Sequence, residues 1–303
     1  MISVLIPVKN GGDDLVRCLD RIAAQRVDDD VEVVVIDSGS TDGSVAVARE
    51  HAATVLEIPA VEFDHGAARN RAAGAARGEL LVFTSQDAYA ERDDWLARLT
   101  APLADERVAG VYGRQLAHHG ATPPEIYFLD FLYGPRSRVQ RLADGAGISM
   151  ETTLFSNVNA AMRSELFARY PFAEDMIMSE DQEWSRRVLL AGYELRYDAE
   201  AAVRHSHDYT LKAAFRRFFD SGVSASRSYA GADGAGGVLR NRALDYARGE
   251  LGWLVRSGNA RWIPYTLVYE AAKVTGLALG MHHERLPARV KPRLSGLGNY
   301  WRR

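Results

Sequence analysis

The chain has 303 residues, of which 47% are hydrophobic and 25% charged, so we expect a globular protein rather than a disordered or collagen-like one. A single cysteine, Cys18, excludes an internal disulfide and a thiolate metal cluster, and its apolar surroundings predict a buried core residue. The net charge of −3 is distributed unevenly along the chain. Residues 211–303 contain 16 Lys and Arg against 6 Asp and Glu, whereas residues 1–210 contain 21 Lys and Arg against 34 Asp and Glu.

The first 110 residues predict alternating strands and helices. Short apolar runs predict strands at residues 2–6, 31–36, 55–58 and 80–84. Helical spacing predicts a helix near residues 15–22, a cap at 40–42 predicts a second one, and an Ala/Arg-rich helix at 67–77 is stopped by Gly78. Strands that are apolar throughout and separated by helices indicate a parallel sheet covered on both faces.

The start of the chain carries no sign of a secretory signal. No basic region precedes the first apolar run, and that run is only as long as a strand. We therefore expect a cytosolic protein.

After residue 110 the pattern stays mixed, and from residue 211 it becomes helical. Residues 111–210 predict a helix at 180–191 and short strands at 195–197 and 201–205. From residue 211 we expect a helix with Phe215, Phe218 and Phe219 on one face, a flexible break at 231–237, and helices at 238–256 and 262–281. This predicts a domain over residues 1–210, with a nucleotide-binding half at about 1–110 and an acceptor half at about 111–210, and a helical extension over 211–303.

The stretch 262–281 is the only candidate for a membrane span. It contains Pro264, Glu270 and Lys273, and two ionisable groups inside a bilayer would be costly. We therefore expect this helix to pack on the body or to lie in an interface.

A nucleotide site is indicated where the second strand ends. Asp37, Ser38, Ser40 and Asp42 follow that strand in one loop, at the edge where open α/β sheets bind ligands. A carboxylate there can accept a hydrogen bond from the ring N–H of uracil or thymine, although Asp37 taken alone fits a solvated strand-end acid equally well. The spaced glycines of a dinucleotide fold are missing after the first strand, so a nicotinamide enzyme is disfavoured.

Four motifs in order carry a family resemblance: PVKN after the first strand, IDSGSTDGS after the second, HGAARN, and Asp87 at the end of the fourth strand. Together they resemble the GT-A glycosyltransferases of the large inverting family that includes rhamnosyltransferases of cell-surface polysaccharide synthesis. The later segments FSNVNAAMR, MSEDQEW and RHSHDYT are similar to the rhamnosyltransferase branch. The resemblance implies a GT-A, Rossmann-like α/β fold with a mostly parallel sheet covered by helices.

The resemblance also implies a divalent cation, Mg²⁺ or Mn²⁺, beside the donor diphosphate. The family usually has an Asp-x-Asp at the end of the fourth strand, whereas this chain has Ser85 in place of the first acid and keeps Asp87. His205 and His207 point the same way on an extended segment and are candidates for a further ligand. The alternatives are an Asp that caps a turn and a histidine pair that bonds to the backbone.

The Glu-Asp pair of MSEDQEW resembles the family motif whose Asp is the catalytic base. This implies that Asp181 is the base and Glu180 its neighbour. We expect both at a helix start, where the helix dipole favours the ionised form and a low pKa. Without the resemblance, two ordinary carboxylates at a helix start would be the better interpretation.

A larger set of residues is implied in binding the nucleotide sugar. Arg69 can pair with phosphate or a base carbonyl, Gln86 can orient a metal-bound water or a sugar hydroxyl, and Asn157 can bind sugar hydroxyls or cap the backbone. The full set is Pro7, Val8, Asn10, Asp37, Ser38, Ser40, Asp42, His65, Gly66, Arg69, Asn70, Gln86 and Asn157.

We expect the protein to transfer L-rhamnose from dTDP-L-rhamnose, with inversion, to a glycan or polyprenyl-linked saccharide. A UDP-hexose or UDP-galactofuranose donor, or a non-catalytic nucleotide-sugar-binding membrane-associated protein, are the alternatives. The basic extension predicts peripheral contact with an anionic membrane at its inner face, or else packing on the acidic body or homo-oligomer formation. The acidic main body argues against a nucleic-acid partner.

Overall fold

In the computed structural model, which describes residues 1–142, 147–228 and 235–302, nine strands form one mixed sheet. The strands are β1 (Ile2–Val8), β2 (Val31–Asp37), β3 (Thr54–Glu57), β4 (Leu80–Thr84), β5 (Tyr89–Ala90), β6 (Val108–Leu116), β7 (Arg138–Gln140), β8 (Asn159–Arg163) and β9 (Glu194–Arg204). Their order is β3-β2-β1-β4-β8-β6-β9-β5, and β7 pairs with β9 outside this path.

Helices connect and cover the strands. They are α1 (Gly12–Ala23), α2 (Ser44–Glu50), α3 (His65–Ala75), α4 (Trp95–Thr100), α5 (Pro123–Leu132), α6 (Ser164–Arg169), α7 (Glu180–Leu190), α8 (Leu211–Ser228), α9 (Ala235–Arg256), α10 (Ile263–Met281) and α11 (Lys291–Leu294). Helix α3 begins two residues before the predicted start because the Asp64 carboxylate accepts hydrogen bonds from the backbone N–H groups of Gly66 and Ala67.

The pairing of the strands brings several strand ends with polar side chains together at one edge of the sheet. Strands β1 to β4 are mutually parallel, as predicted, so Val8, Asp37 and Thr84 end side by side. Strand β8 runs antiparallel to β4, and its first residue, Asn159, pairs with Thr84. Strand β9 is parallel to β6 and ends at Arg204, at this same edge. The two short strands predicted at 195–197 and 201–205 are in fact one long strand, β9.

The core has a layer on each face of the sheet. Helices α1 and α4 cover one face with Leu15, Leu19 and Trp95, whereas α3 and α7 cover the other with Ala68 and Trp184. Cys18 lies in the first layer, fully buried, as predicted, and burial raises the pKa of its thiol to about 12. The thiol is therefore uncharged at neutral pH.

The helices after residue 210 pack closely on one another. At Gly276 and Gly280 of α10, a Cβ atom would overlap the backbone carbonyl groups of Phe215 and Phe219 on α8. These glycines therefore allow two helix backbones to approach, and Phe219 is fully buried beside them. Residues 231–234 of the predicted break lie outside the described residues, and α9 begins at Ala235. Among the helices described, we find none with the length and apolar character needed to cross a membrane.

Candidate functional site

Three metal-ligand side chains converge at the sheet edge where β4 and β9 end. Asp87 follows β4, and His205 and His207 follow β9. Each histidine Nε2 lies 3.7 Å from an Asp87 carboxylate oxygen, and one ligand atom from each residue lies within 4.8 Å of the others. This is the set of residues that the sequence pattern predicted for a cation.

Neighbouring groups hold these ligands in a form that can bind a cation. The Gln115 side-chain carbonyl lies 2.9 Å from Nδ1 of His205, and the Gln115 amide donates to Ser156, so Nδ1 is the protonated nitrogen and Nε2 is free toward Asp87. Burial lowers the pKa of His205 to about 4, so the ring is neutral at pH 7. The Ser85 hydroxyl, which replaces the family's first acid, donates to Asp87 at 2.8 Å and orients its carboxylate.

The charge state of Asp87 also suits a metal ligand. Burial alone would raise its pKa, but His205 and His207, together with the Ser85 hydroxyl, outweigh burial and hold the pKa below its ordinary value. One carboxylate oxygen and two imidazole nitrogens form a donor set that suits Mn²⁺ better than Mg²⁺, which prefers oxygen ligands. The residues present therefore fit a transition-metal ion.

Asp37 offers an unused acceptor at the neighbouring end of β2. One carboxylate oxygen accepts hydrogen bonds from the backbone N–H groups of Gly39 and Ser40, each at 2.8 Å. The other oxygen is buried and has no hydrogen-bond partner among the described residues. A buried acceptor without a donor is costly, and a ring N–H of a bound base would satisfy it.

The loop after β1 is fixed to its surroundings by several predicted site residues. Both ends of the Gln86 amide bond to the backbone of Lys9, at 2.7 and 3.2 Å, so this side chain faces the loop and not the metal ligands. Asn10 accepts from the backbone N–H of Thr41 at 2.8 Å, and Asp42 accepts from Gly12 at 3.0 Å.

The loop after β2 also contacts a positively charged side chain, that of Lys9, which was not among the predicted site residues. The Lys9 ammonium donates to the backbone carbonyls of Ser38 and Gly39, beside Asp37. Ser38 in turn bonds to the Val8 carbonyl through both its N–H and its hydroxyl, which joins the ends of β1 and β2 after Pro7. A lysine inside the PVKN motif was the available signal.

Asp181 lies in the first turn of α7, as expected. Its side chain is half-buried, and its two carboxylate oxygens accept from the backbone N–H groups of Asn157, at 3.0 Å, and Gln182, at 2.8 Å. Burial, reinforced by the negative charge of Glu180, raises its pKa to about 6. The low pKa expected from the helix dipole is therefore wrong, because loss of hydration outweighs the dipole.

Glu180 is a buried, charged residue that holds its neighbours in place. Its carboxylate accepts from the Asn157 amide at 2.7 Å and from the Arg69 guanidinium at 3.2 Å. Burial alone would raise its pKa, but Arg69 and then His65 outweigh burial and lower it. In this structure Arg69 and Asn157 are thus directed to Glu180, although the buried Nε of Arg69 has no partner among the described residues.

Other residues predicted to bind the donor contact the protein itself. Both ends of the Asn70 amide bond to the backbone of Phe172, at 2.9 and 3.0 Å. A Cβ on Gly66 would overlap the carbonyl oxygen of Ala173, so this glycine permits close packing of α3 on the segment before α7. His65 is half-buried and packs edge-on against Phe63.

The loop that precedes the predicted base is held by residues of the C-terminal region. Its residues Asp175 and Ser179 have positive φ angles of 61° and 62°, an uncommon conformation for residues other than glycine. Ser224 of α8 donates to the Met178 carbonyl at 2.6 Å, and Arg227 and Tyr300 donate to the Asp175 carbonyl at 2.8 and 3.1 Å. Nothing in the local sequence predicted this clamp.

A cavity of about 540 Å³ opens beside Asp87 and His207, two of the three candidate metal ligands. Its wall includes Arg17, which lies over the ring of Tyr89 at 5.1 Å, and His118, which is stacked on that same ring. The site as a whole therefore brings together the predicted base, three side chains that could hold a cation, a buried acceptor without a partner among the described residues, and a cavity.

Comparison with known proteins places this arrangement in a family context. Residues 3–170 match the family described as Glycosyl transferase family 2. A Salmonella anatum protein named O-antigen chain rhamnosyltransferase WbaN is 35% identical over 278 residues, which cover 89% of this chain and 86% of that protein. O-antigen chain rhamnosyltransferase RfbN of Salmonella typhimurium strain LT2 is 33% identical over 309 residues, covering 99% and 96%.

Solved structures share the fold at lower identity. The mannosyltransferase PcManGT from Pyrobaculum calidifontis, in complex with GDP-Man and Mn²⁺, superposes with a TM-score of 0.63 at 22% identity, covering 94% of this chain and 88% of that one. Residues 1–349 of S. aureus TarS with UDP-GlcNAc give a TM-score of 0.57 at 17% identity, covering 99% and 89%. These likenesses confirm the GT-A fold that the sequence predicted.

Proposed function

Since this chain belongs to glycosyl transferase family 2, we propose that it is an inverting glycosyltransferase that transfers L-rhamnose from dTDP-L-rhamnose in the synthesis of a cell-surface polysaccharide. The observation that carries this proposal is the similarity to two O-antigen chain rhamnosyltransferases at 35% and 33% identity, over 89% and 99% of the chain. Similarity of this extent includes the segments that carry Asp87, Asp181 and His207.

Asp181 is the general base of the proposed reaction. It removes the proton of the acceptor hydroxyl as that oxygen forms a bond to the anomeric carbon, while the bond from that carbon to the nucleoside diphosphate breaks. Attack opposite to the leaving group inverts the anomeric centre. A half-buried carboxylate with a pKa of about 6 is ionised at pH 7 and still basic enough to accept the proton.

Asp87, His205 and His207 hold a divalent cation, for which their donor set favours Mn²⁺. When bound, the cation supplies charge neutralisation for the departing diphosphate. Asp37 accepts the ring N–H of thymine through its unused oxygen, and the adjacent Lys9 faces the same loop. Because uracil offers the same ring N–H, Asp37 does not distinguish between the two pyrimidines.

The proposed acceptor is a hydroxyl of a glycan or of a polyprenyl-linked saccharide. A polyprenyl-linked acceptor would place the enzyme at the inner face of the cell membrane. The excess of Lys and Arg over Asp and Glu in residues 211–303 supports this placement.

A transfer assay across nucleotide sugars tests the proposal. We expect dTDP-L-rhamnose to be consumed faster than UDP-galactofuranose, UDP-glucose or GDP-mannose, with Mn²⁺ required and activity lost on chelation. Preference for a UDP-sugar would support the proposed glycosyl transfer but show that the donor is not dTDP-L-rhamnose. No turnover of any donor, with nucleotide binding intact, would favour a non-catalytic binding protein.

A further inference from the structure

Helix α10 exposes an apolar face along its length. Leu267, Val268 and Val274 are 54%, 54% and 56% exposed, and Met281 is 36% exposed. Ala271 and Ala278 lie between them on the same side and are also exposed. These six residues, here called the α10 face, extend over the 15 residues from Leu267 to Met281, which is about 21 Å of helix. Large apolar side chains that cluster in this way mark an interaction surface.

Neither charged residue of α10 interrupts this face. Lys273 is buried and donates to the Glu270 carboxylate at 2.7 Å. The Lys273 ammonium lies 4.2 Å from the centre of the Phe128 ring and 4.9 Å from that of Phe218. Both charges are thus neutralised on the inner side of the helix, and the outer side is left without a charged group.

Exposed basic residues flank the α10 face at both ends. Arg256 and Arg261 precede it, and Arg285, Arg289 and Arg293 follow it. Within residues 251–303, the only acids are the half-buried Glu270 and one exposed residue, Glu284. An apolar helix face between basic ends is the pattern of a helix that lies in the headgroup region of an anionic bilayer.

A second copy of the chain fits this surface less well. Because both ends of α10 are basic, parallel and antiparallel pairing of two such helices would each bring arginines against arginines. Like charges at both ends of an interface oppose association.

The inner side of α10 lies next to the candidate active site. The Tyr265 hydroxyl in the first turn of α10 is within 3.5 Å of the Tyr209 carbonyl, two residues after His207. Glu125, whose carboxylate interacts electrostatically with Lys273, lies 3.4 Å from the backbone nitrogen of His207. Helix α10 is therefore adjacent to the loop that carries two of the candidate metal ligands, and the α10 face lies on the outer side of the same helix.

We propose that the α10 face docks on an anionic lipid bilayer and so holds the metal-ligand loop beside the surface where a lipid-linked acceptor is presented. The identity of the acceptor rests on the proposed function, whereas the docking rests on the exposed residues alone. A transferase that modifies a soluble acceptor without binding vesicles would overturn this inference and leave the proposed function standing.

Flotation with vesicles of phosphatidylethanolamine and phosphatidylglycerol tests the docking on the full chain. The protein should float with these vesicles, less so at high salt, and not with phosphatidylcholine alone. Leu267→Glu combined with Val274→Glu should weaken binding by at least about tenfold, because two apolar anchors are lost and two charges enter the headgroup region. Leu190→Glu, at a residue 55% exposed on α7, is the matched control and should float normally.

Three outcomes would overturn the proposal. The first is absence of vesicle binding at low salt, and the second is flotation of the double variant at the unaltered level. The third is a dimer in sedimentation analysis that the double variant dissociates, which would assign the face to a second copy. If the double variant fails to fold, Arg285→Gln with Arg289→Gln, which alters only exposed side chains, decides by the same criterion: unchanged flotation overturns the proposal.

Discussion

Asp181 combines partial exposure with two backbone hydrogen bonds and a charged neighbour, Glu180. The hydrogen bonds fix the orientation of its carboxylate, while burial and Glu180 make it more basic than an ordinary aspartate. Glu180 keeps its own charge because Arg69 and His65 stabilise it. Two adjacent carboxylates thus have pKa values shifted in opposite directions, which is the arrangement that separates a base from a supporting residue.

Asp181→Asn should lower kcat by about a hundredfold to ten-thousandfold and leave donor binding nearly unchanged, because an amide keeps the shape but cannot accept the proton. In the unaltered enzyme, kcat/KM should fall about tenfold per pH unit below about pH 6, as the base becomes protonated. Steady-state kinetics and calorimetric donor titration measure both effects. Glu183→Gln, an acid of the same helix turn, is the control, and near-normal turnover of Asp181→Asn would refute the assignment.

Asp87→Ala should weaken donor binding in the presence of Mn²⁺ and lower kcat/KM by about a hundredfold, because the only carboxylate of the triad is lost. Ser85→Ala, which removes only the hydrogen bond that orients Asp87, should have a much smaller effect. Activity assays over a Mn²⁺ titration distinguish the two variants. Activity of the unaltered enzyme that survives chelation would contradict a metal role for Asp87.

At this scale the sequence was informative about residues whose chemistry is carried by a motif. Asp87, His205 and His207 were predicted as metal ligands, and the structure brings them together. The contacts of Arg69 and Asn157 were not predictable, because Glu180 reaches them only after α3, β8 and α7 have packed together.

Among the elements, α8 has a part in the site that its position in the chain does not suggest. Ser224 donates a short hydrogen bond to the carbonyl of Met178, three residues before Asp181. The loop between them includes the left-handed Ser179. Such a conformation costs about 1–3 kcal/mol and persists only where surrounding contacts hold it. Helix α8 supplies those contacts.

Ser224→Ala should lower kcat by about tenfold with little change in the donor KM, because the base loses its fixed position while the nucleotide cradle is untouched. The measurement is a full kinetic comparison with Ser226→Ala. Ser226 lies on the same helix, and its side-chain hydrogen bond within the described part of the chain goes to the carbonyl of Val223 on that helix, so its variant should behave normally. An equal decrease of kcat in both variants would instead indicate a general effect of substitution on α8.

The elements of the first half were predictable because buried parallel strands read as continuous apolar runs. Strands β1, β2 and β4 match those runs closely. The direction of β8 was not predictable, since the segment FSNVNAAMR has no feature that distinguishes a parallel from an antiparallel neighbour of β4. The division at residue 210 stays a prediction, and Phe219 and Val223 beyond it share a cluster with Ile177 and Met178 before it.

At the scale of the whole molecule, the ion pairs that the described residues form with one another do not offset the charge asymmetry. None of these pairs joins a Lys or Arg of residues 211–303 to an acid of residues 1–210. Across this boundary Arg227 instead donates to the Asp175 carbonyl, and Arg217 lies 3.0 Å from the Met178 sulfur. Arg285 and Arg289 are exposed and can face an anionic partner.

Binding of nucleotide and metal together should stabilise the whole fold. We expect dTDP or UDP at a hundred times its Kd to add about 2.7 kcal/mol to the free energy of unfolding, a rise of several degrees in Tm, and to do so fully only with Mn²⁺. Thermal denaturation with dTDP, UDP and GDP, each with and without Mn²⁺, measures this. An equal shift by GDP would contradict a preference for a pyrimidine nucleotide.

The clamp on the loop before α7 has a consequence for the folding of the protein. Tyr300 donates to the carbonyl of Asp175, which lies 125 positions earlier in the chain. Because the two residues are so far apart in sequence, this contact forms only after the intervening segments have folded against one another. After dilution from denaturant, the recovery of turnover should therefore lag behind the recovery of tryptophan fluorescence.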